Sequence, residues 1–474
     1  MKQFFRNLKL VWSYSKNQKY NLLKYIIIEF LDVIISVVLP ILSAKVIVEL
    51  TSSNFKQLVL VTSVILLIEI VRDLMSHWAS HYSQIVYRET FSNLQIALGE
   101  EILKLSNETI DNNNSGVFVQ RLSNDVGRIA DIFNLLSLYV FNILTNIGIF
   151  SAIFIINKLL FIYIVIMVII LYFLENKRTK VRNENDKVLR KEQDKVYGFT
   201  SEIIRGVRDI KMLNSEQSFI QEFVNKINNL NETRYTMMDT NRKYLLLKSV
   251  IQDFEKFILI ILFVVLIEHQ HLTVAVALVV YNYSSRINSI IGWLSSLLEN
   301  AKDFNLSADR IFAIMDKKKF QKEKFGTKHL DKIEGNFEFK NVSFSYNENK
   351  VLKNLSFKIK ANETVAFVGK SGAGKTTVFN LLCKMYDVDE GTITIDGINI
   401  KDLDKDSIRG NITIISQSPY IFNMSIKENL LLVKSDLTDE EMITACKIAC
   451  LDDFINNLPN KYDTIIGEGG VNLS

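Results

Sequence analysis

Six apolar stretches, near residues 22–50, 55–76, 132–156, 158–175, 250–267 and 272–298, decide what this chain can become. A membrane-crossing helix needs about 20 predominantly apolar residues. Hydrocarbon offers no hydrogen-bond partner to a backbone, so a segment that enters it alone must be helical. The first four stretches reach that length; the last two are shorter in their purely apolar parts. The chain is 48% apolar yet 23% charged over 474 residues. That is too apolar for an ordinary soluble protein and too charged for a compact membrane bundle, so a membrane part joined to a soluble part is expected. The net charge of +4 is small for this length and gives no reason to expect a nucleic-acid partner.

The connections alternate in length. Short ones fall at 51–54, near 157–158, and at 268–271, and long ones at 72–129 and 175–256. Lys177, Arg178, Lys180, Arg182, Lys187, Arg190, Lys191 and Lys195 crowd one long connection. Positive charge retained on the inner side makes the long connections cytoplasmic and the short ones external. The protein is then multi-pass in the cytoplasmic membrane with both termini in the cytoplasm. Lys2, Arg6, Lys9, Lys16, Lys19 and Lys24 lead into the first span, and no small-residue cleavage site ends it, so an uncleaved span is expected.

Apolar residues keep helical spacing within the long connections, as at Ile203, Ile204, Val207, Ile210 and Leu213. A continuous helix from Phe55 to near Leu105 would be about 75 Å long against about 30 Å of hydrocarbon, so the helices project far into the cytoplasm. Thr109–Gly116 and Arg205–Gly206 are the expected breaks, each an elbow for a short contact helix. Charges also lie inside the spans: Glu29 and Asp32 in the first, Glu69, Arg72 and Asp73 in the second. Asp32 and Arg72 fall at similar depth on neighbouring antiparallel helices and are expected to pair, the alternative being pairing of Arg72 with Glu69 or Asp73 on its own helix.

The pattern changes after a charged linker at 317–333. Phe337, Phe339, Val342, Phe344 and Tyr346 nearly alternate, and Leu355, Phe357 and Ile359 alternate strictly, as strands do. Residues 392–400 read as a hairpin turning at Asp396-Gly397. Gly369, Lys370, Ser371, Gly372, Ala373, Gly374, Lys375 and Thr376 spell G-x-x-x-x-G-K-T, between an apolar strand (Thr364–Val368) and a helical run opening at Thr377. Glycines let the backbone turn tightly with its N–H groups inward, and the helix N-terminus adds positive potential, so the loop suits a polyphosphate. Lys375 would reach the outer phosphates and Thr376 would offer its hydroxyl to Mg²⁺. Cys383, Cys446 and Cys450 show neither disulfide nor metal spacing and are expected as reduced thiols, the last two half-buried on a helix.

The fold class expected is an all-α six-span bundle with long cytoplasmic extensions (1–316), a linker, and an α/β P-loop nucleotide-binding domain (334–474). Taken together, these residues resemble a type I ABC exporter half-transporter over nearly the whole chain. By that resemblance Tyr346 stacks on adenine, Thr377 joins the ATP-binding loop, and Gln417, ending the run Ile414-Ile415-Ser416, approaches Mg²⁺. Residues 421–429 and Tyr462–Glu468 also fit the family, but Gly469 stands where the family usually has arginine. The resemblance implies ATP and Mg²⁺ as cofactors, membrane lipids around the spans, an ABC-type ATPase/translocase, and export of an unspecified cargo by a homo- or heterodimer of half-transporters. The family's signature glycines, Mg²⁺-supporting aspartate, catalytic glutamate and switch histidine find no counterpart here: His77, His81, His269, His271 and His329 all precede the loop, and Asp439-Glu440-Glu441 reads as a helix start capped by Thr438. The expectation is therefore an incomplete copy. The alternative is a non-hydrolysing nucleotide-binding subunit of a heteromeric transporter.

Overall fold

The computed structural model describes residues 2–113, 115–287, 290–316, 319–347, 349–416 and 419–467, and the side chains of 287, 291 and 295 are not described. The chain divides into two compact units, Met1–Glu323 and Lys324–Ser474.

The first unit is helical. α1 (Lys2–Ser15) leads into α2 (Lys19–Thr51), and α3 (Phe55–Leu103) returns after a turn in which Ser53 holds a φ of 58°. Short α4 (Asn107–Asp111) and α5 (Ser115–Gln120) follow, then a π turn at Arg121–Asp125, α6 (Val126–Ala130) and α7 (Ile132–Ile156). α8 (Lys158–Met212) and α9 (Glu216–Glu268) are the long antiparallel pair, and α10 (Val274–Ile287) and α11 (Ile290–Met315) close the unit. Asn54 and Asn157 start α3 and α8 by accepting backbone N–H bonds at Gln57 and at Leu159 and Leu160.

Among the described residues, three helical stretches are long and apolar enough to cross a membrane: Lys2–Thr51, Ser115–Ile156 and Lys158–Met212. Residues 55–76 miss that standard because Lys56, Glu69, Arg72 and Asp73 interrupt them, and α10 is only 14 residues long. Phe30, Leu60, Ile155 and Phe173 point their side chains outward, each about half exposed or more. Large apolar groups facing out along these helices have lipid as their natural solvent. Two cores hold the unit together. Leu94, Leu98, Ile129, Phe304 and Ile311 build one, and Ile149, Ile153, Leu160, Leu259 and Tyr283 the other.

The expected break at Arg205–Gly206 is corrected: α8 runs through Gly206, where nothing crowds the backbone, and ends at Leu213–Ser215 with Asn214 at a φ of 48°. One glycine in a long, otherwise well-formed helix costs only about 1 kcal/mol, too little to end it. The other expected break is real and begins slightly earlier, at Lys104. There Ser106 N–H donates to Gln321 O at 2.9 Å, Glu323 N–H donates to Lys104 O at 3.0 Å, and Lys322 pairs with Glu101.

Asp32 and Arg72 meet as a pair across α2 and α3, Arg72 Nε lying 2.6 Å from Asp32 Oδ1. The pairing within α3 is thereby excluded as the principal contact.

In the second unit, β1 (Phe337–Tyr346) sits between β2 (Asn349–Ile359) and β3 (Glu390–Ile395), with β4 (Ile398–Asn399) outermost, all antiparallel. A bulge between Phe339 and Val342, with Asn341 at a φ of 51°, breaks the alternation of β1. β3 and β4 turn at Asp396 and Gly397, whose φ values of 48° and 81° match the tight hairpin expected of Asp-Gly. α12 (Lys375–Leu382) packs Val378 and Leu381 against Phe339, Phe344 and Ile393. Next come α13 (Lys405–Arg409), β5 (Met424–Ser425), α14 (Ile426–Val433), α15 (Asp439–Ile448) and α16 (Asp452–Asn456), and β6 (Ile465–Ile466) pairs with β5.

The expected strand at Thr364–Val368 is not a laddered strand. Among the described residues, neither it nor 412–416 has a neighbouring strand, and Val368 and Ile415 are each 93% exposed. Apolar β-rich sequence makes a strand only when a partner offers its backbone, and none of the described strands runs beside these two.

Candidate functional site

The loop at 369–376 owes its shape to two glycines. Gly372 and Gly374 hold φ values of 80° and 87°. Gly372 faces open space, so only its backbone demands glycine. Gly374 is doubly constrained: a Cβ there would lie 2.8 Å from Leu352 Cδ2 and 3.2 Å from Val351 Cγ1, both on β2. The loop is thus pressed onto the sheet at the residue immediately before α12.

Among the described residues no side chain caps α12. Its first internal rung is Val378 N–H to Gly374 O at 3.1 Å, which leaves the N–H groups of Lys375, Thr376 and Thr377 without an intrahelical acceptor. Lys375 crosses the mouth of the loop, its Nζ donating to Gly369 O and to Lys370 O at 2.9 Å each. An ammonium held, among the described residues, by neutral carbonyls beside uncapped helix N–H groups is a place with spare donors and positive potential. Lys370, Ser371, Ala373 and Thr376 are exposed, so the Thr376 hydroxyl is open to a metal or a phosphate. Thr377 turns inward, 5% exposed, and its side chain serves packing while its N–H belongs to the cradle. These residues fit a nucleotide's phosphates, and a magnesium ion held with them would add a charge that neutralises the polyanion.

Tyr346 ends β1 beside α12. Its ring meets Phe344 and Tyr386 edge-on at 4.8 and 5.1 Å, and Asn380 of α12 donates to its hydroxyl at 3.2 Å. Asn380 is a residue that sequence reasoning missed, since no motif marks it. Farther along, burial pushes the Cys383 thiol above its usual value despite Arg409 nearby, so it is an inert packing group. Cys446 is buried, and Cys450 is exposed beyond the end of α15. Gln417 and Glu468 onward lie outside the described residues. Thr438 and Glu441 form the expected capping box of α15, each side chain bonding the other's backbone N–H, so the acidic run is a helix start. A depression of about 620 Å³ is lined by residues of β1, β2 and β3, among them Lys340, Lys350, Lys353 and Glu390, and by none of the loop residues 369–376.

A helical unit with membrane-length apolar stretches, followed by a small β-rich unit that carries a glycine-shaped phosphate loop, marks a membrane protein with a nucleotide-binding part. The chain belongs to the ABC transporter family: residues 22–290 match the family model described as ABC transporter transmembrane region, and residues 352–474 match the one described as ABC transporter. It is 30% identical over 391 residues to the uncharacterized ABC transporter ATP-binding protein YknV of Bacillus subtilis, covering 81% of this chain and 64% of YknV. It is 25% identical to YfiC of the same organism, a second uncharacterized ABC transporter ATP-binding protein, over 98% of this chain and 78% of YfiC. A Staphylococcus aureus ATP-binding/permease protein named for multidrug export is 29% identical over 86% of this chain and 70% of its own length. The chain therefore spans less than two thirds of the first of these relatives.

Proposed function

We propose that this chain works in ATP-driven export across the cytoplasmic membrane, as one half of a homo- or heterodimer. The observation that carries the reading is Lys375 lying across a glycine-shaped loop at an uncapped helix start, on the same chain as a membrane unit. In this reading six spans cross the bilayer within 1–316, residues 317–333 link them to an α/β P-loop domain at 334–474, and both termini are cytoplasmic. Gly369–Thr377 hold the phosphates, Tyr346 stacks on the base, and Thr376 and Gln417 support Mg²⁺. The Tyr346–Asn380 bond supports this assignment, because it ties the aromatic ring to the helix that begins at the phosphate loop.

Export also accords with the name carried by the Staphylococcus relative. The test is binding of a fluorescent ATP analogue to the purified full chain in lipid nanodiscs, with phosphate release measured in parallel. Lys375→Ala is expected to weaken binding by roughly ten- to a hundredfold, the worth of one charge-assisted hydrogen bond. Binding that Lys375→Ala leaves unchanged would overturn the site assignment. Binding without phosphate release would favour a non-hydrolysing partner subunit.

A further inference from the structure

Pro40 sits inside α2 and has no N–H to give. The carbonyl four residues earlier, Ser36 O, therefore loses its helical donor. Ser36 is 4% exposed, too buried for bulk solvent to supply a replacement. The replacement comes from another helix: Arg286 of α10 donates from Nη1 to Ser36 O at 3.1 Å. One turn earlier on α10, the fully buried Tyr283 donates its hydroxyl to Val37 O at 2.7 Å. One face of α10 thus caps two successive carbonyls of the turn that Pro40 opens.

The same residue joins a third helix through its side chain. Ser36 Oγ lies 3.1 Å from Arg72 Nη2 of α3 and 3.3 Å from Asp32 Oδ2, and Arg72 also bonds Asp32. Ser36 is therefore a junction, its carbonyl bonded to α10 and its hydroxyl to α3, at the weakest rung of α2.

We propose that Arg286 is a positioning residue that stands in for the missing Pro40 N–H and latches the opened turn of α2 to α10. A buried carbonyl is not left without a donor, so α2 and α10 move together at this turn unless the Arg286 bond is exchanged for another. The inference concerns α2 and α10 alone and stands whether or not the chain exports anything.

The test is a double-substitution cycle. Pro40→Ala restores an N–H for Ser36 O, so it makes the Arg286 bond redundant. Spin labels at Leu50 on α2 and Val274 on α10, both exposed, report the distance between the two helices in the full chain with Cys450→Ser. In the Pro40 protein, Arg286→Met is expected to broaden or shift that distance distribution and to lower the thermal midpoint by roughly 2–4 °C. Arg286→Lys, which keeps a donor, is expected to recover much of the native distribution. In the Pro40→Ala protein, Arg286→Met is expected to leave the distribution unchanged and to cost less than half as much in midpoint. Equal effects in both backgrounds overturn the proposal. Should Arg286→Met fail to fold with Pro40 present, Pro40→Ala is expected to restore folding, and a variant that misfolds in both backgrounds equally overturns it.

Discussion

Gly372 and Gly374 share a left-handed backbone but differ in their surroundings, and the difference is measurable. An L-residue in that region costs about 1–2 kcal/mol. Gly372→Ala should pay only that, because its Cβ meets nothing within 4 Å. Gly374→Ala adds a clash with Leu352 and Val351, worth about 1–3 kcal/mol more. Thermal unfolding of the two variants should rank Gly374→Ala as clearly the less stable; equal midpoints would show that β2 yields to the loop. Elsewhere in the second unit, His329 Nδ1 lies 2.7 Å from Asp404 Oδ2, and that bond raises the His329 pKa. Asp404 is lowered to about 2, by Ser407's hydroxyl and backbone N–H first and by His329 next. The signs set a window. The histidine's contribution is complete below its ordinary value of about 6.5 and fades as pH rises through its raised pKa, while the aspartate's is complete above about 3.9 and fades as pH falls towards its own. Both hold between about pH 4 and 6.5. Ring titration by NMR should give His329 a midpoint above the ordinary histidine value, returning towards it in Asp404→Asn and in high salt, since His329 is exposed and Asp404 only half-buried. The glycines and Lys375 were legible in the sequence because a tight phosphate-binding turn admits few residue types. Asn380 was not, because a polar residue on a helix looks alike whether it faces water or a tyrosine.

At the scale of elements, local signals succeeded where a segment carries its own partner. The Asp396-Gly397 hairpin and the Thr438–Glu441 capping box are both closed by neighbours within three residues. Thr438→Ala should cost about 1 kcal/mol, seen as a lower unfolding midpoint of the second unit, since α15 would lose its N-terminal acceptor. Legibility failed where the partner is distant. Thr364–Val368 and 412–416 have the composition of buried strands, yet no described strand supplies a ladder, and composition alone cannot say whether one will. Amide hydrogen exchange should separate these cases: β1 and β3, bonded on both edges, are expected to exchange far more slowly than 364–368 and 412–416. Comparable protection in all four segments would mean that the two apolar runs are paired in solution. The elbow expected at Gly206 failed for a related reason. Where a long helix ends depends on what its whole length packs against, and one glycine is a weak vote.

Across the molecule, the lengths of the helices and the placement of charge constrain one another. α8 has 55 residues, about 80 Å of helix, and only its start at 158–174 is apolar. Roughly 30 Å can lie in hydrocarbon, so most of α8 stands in water, and its lysines and arginines mark which side that water is on. Asp32 and Arg72 fit the same picture, because two opposite charges on apolar helices are tolerated when each meets the other at 2.6 Å. That pair could be foreseen from depth alone, since the short turn at 51–54 fixes how far each residue lies from a common end. The same turn gives a test of the proposed orientation. With Cys450 replaced by serine, the remaining native thiols, Cys383 and Cys446, are buried. A cysteine at Ser53, in the turn, should react with a membrane-impermeant maleimide on intact cells. One at Tyr197, exposed on the far part of α8, should react only after the membrane is opened. The reverse pattern would invert the unit and put Lys177 through Lys195 outside, against the retention of positive charge on the inner face. It would also leave the helices that carry the chain towards the phosphate loop on the side where ATP is scarce, so the labelling pattern bears on the proposed function as directly as on topology.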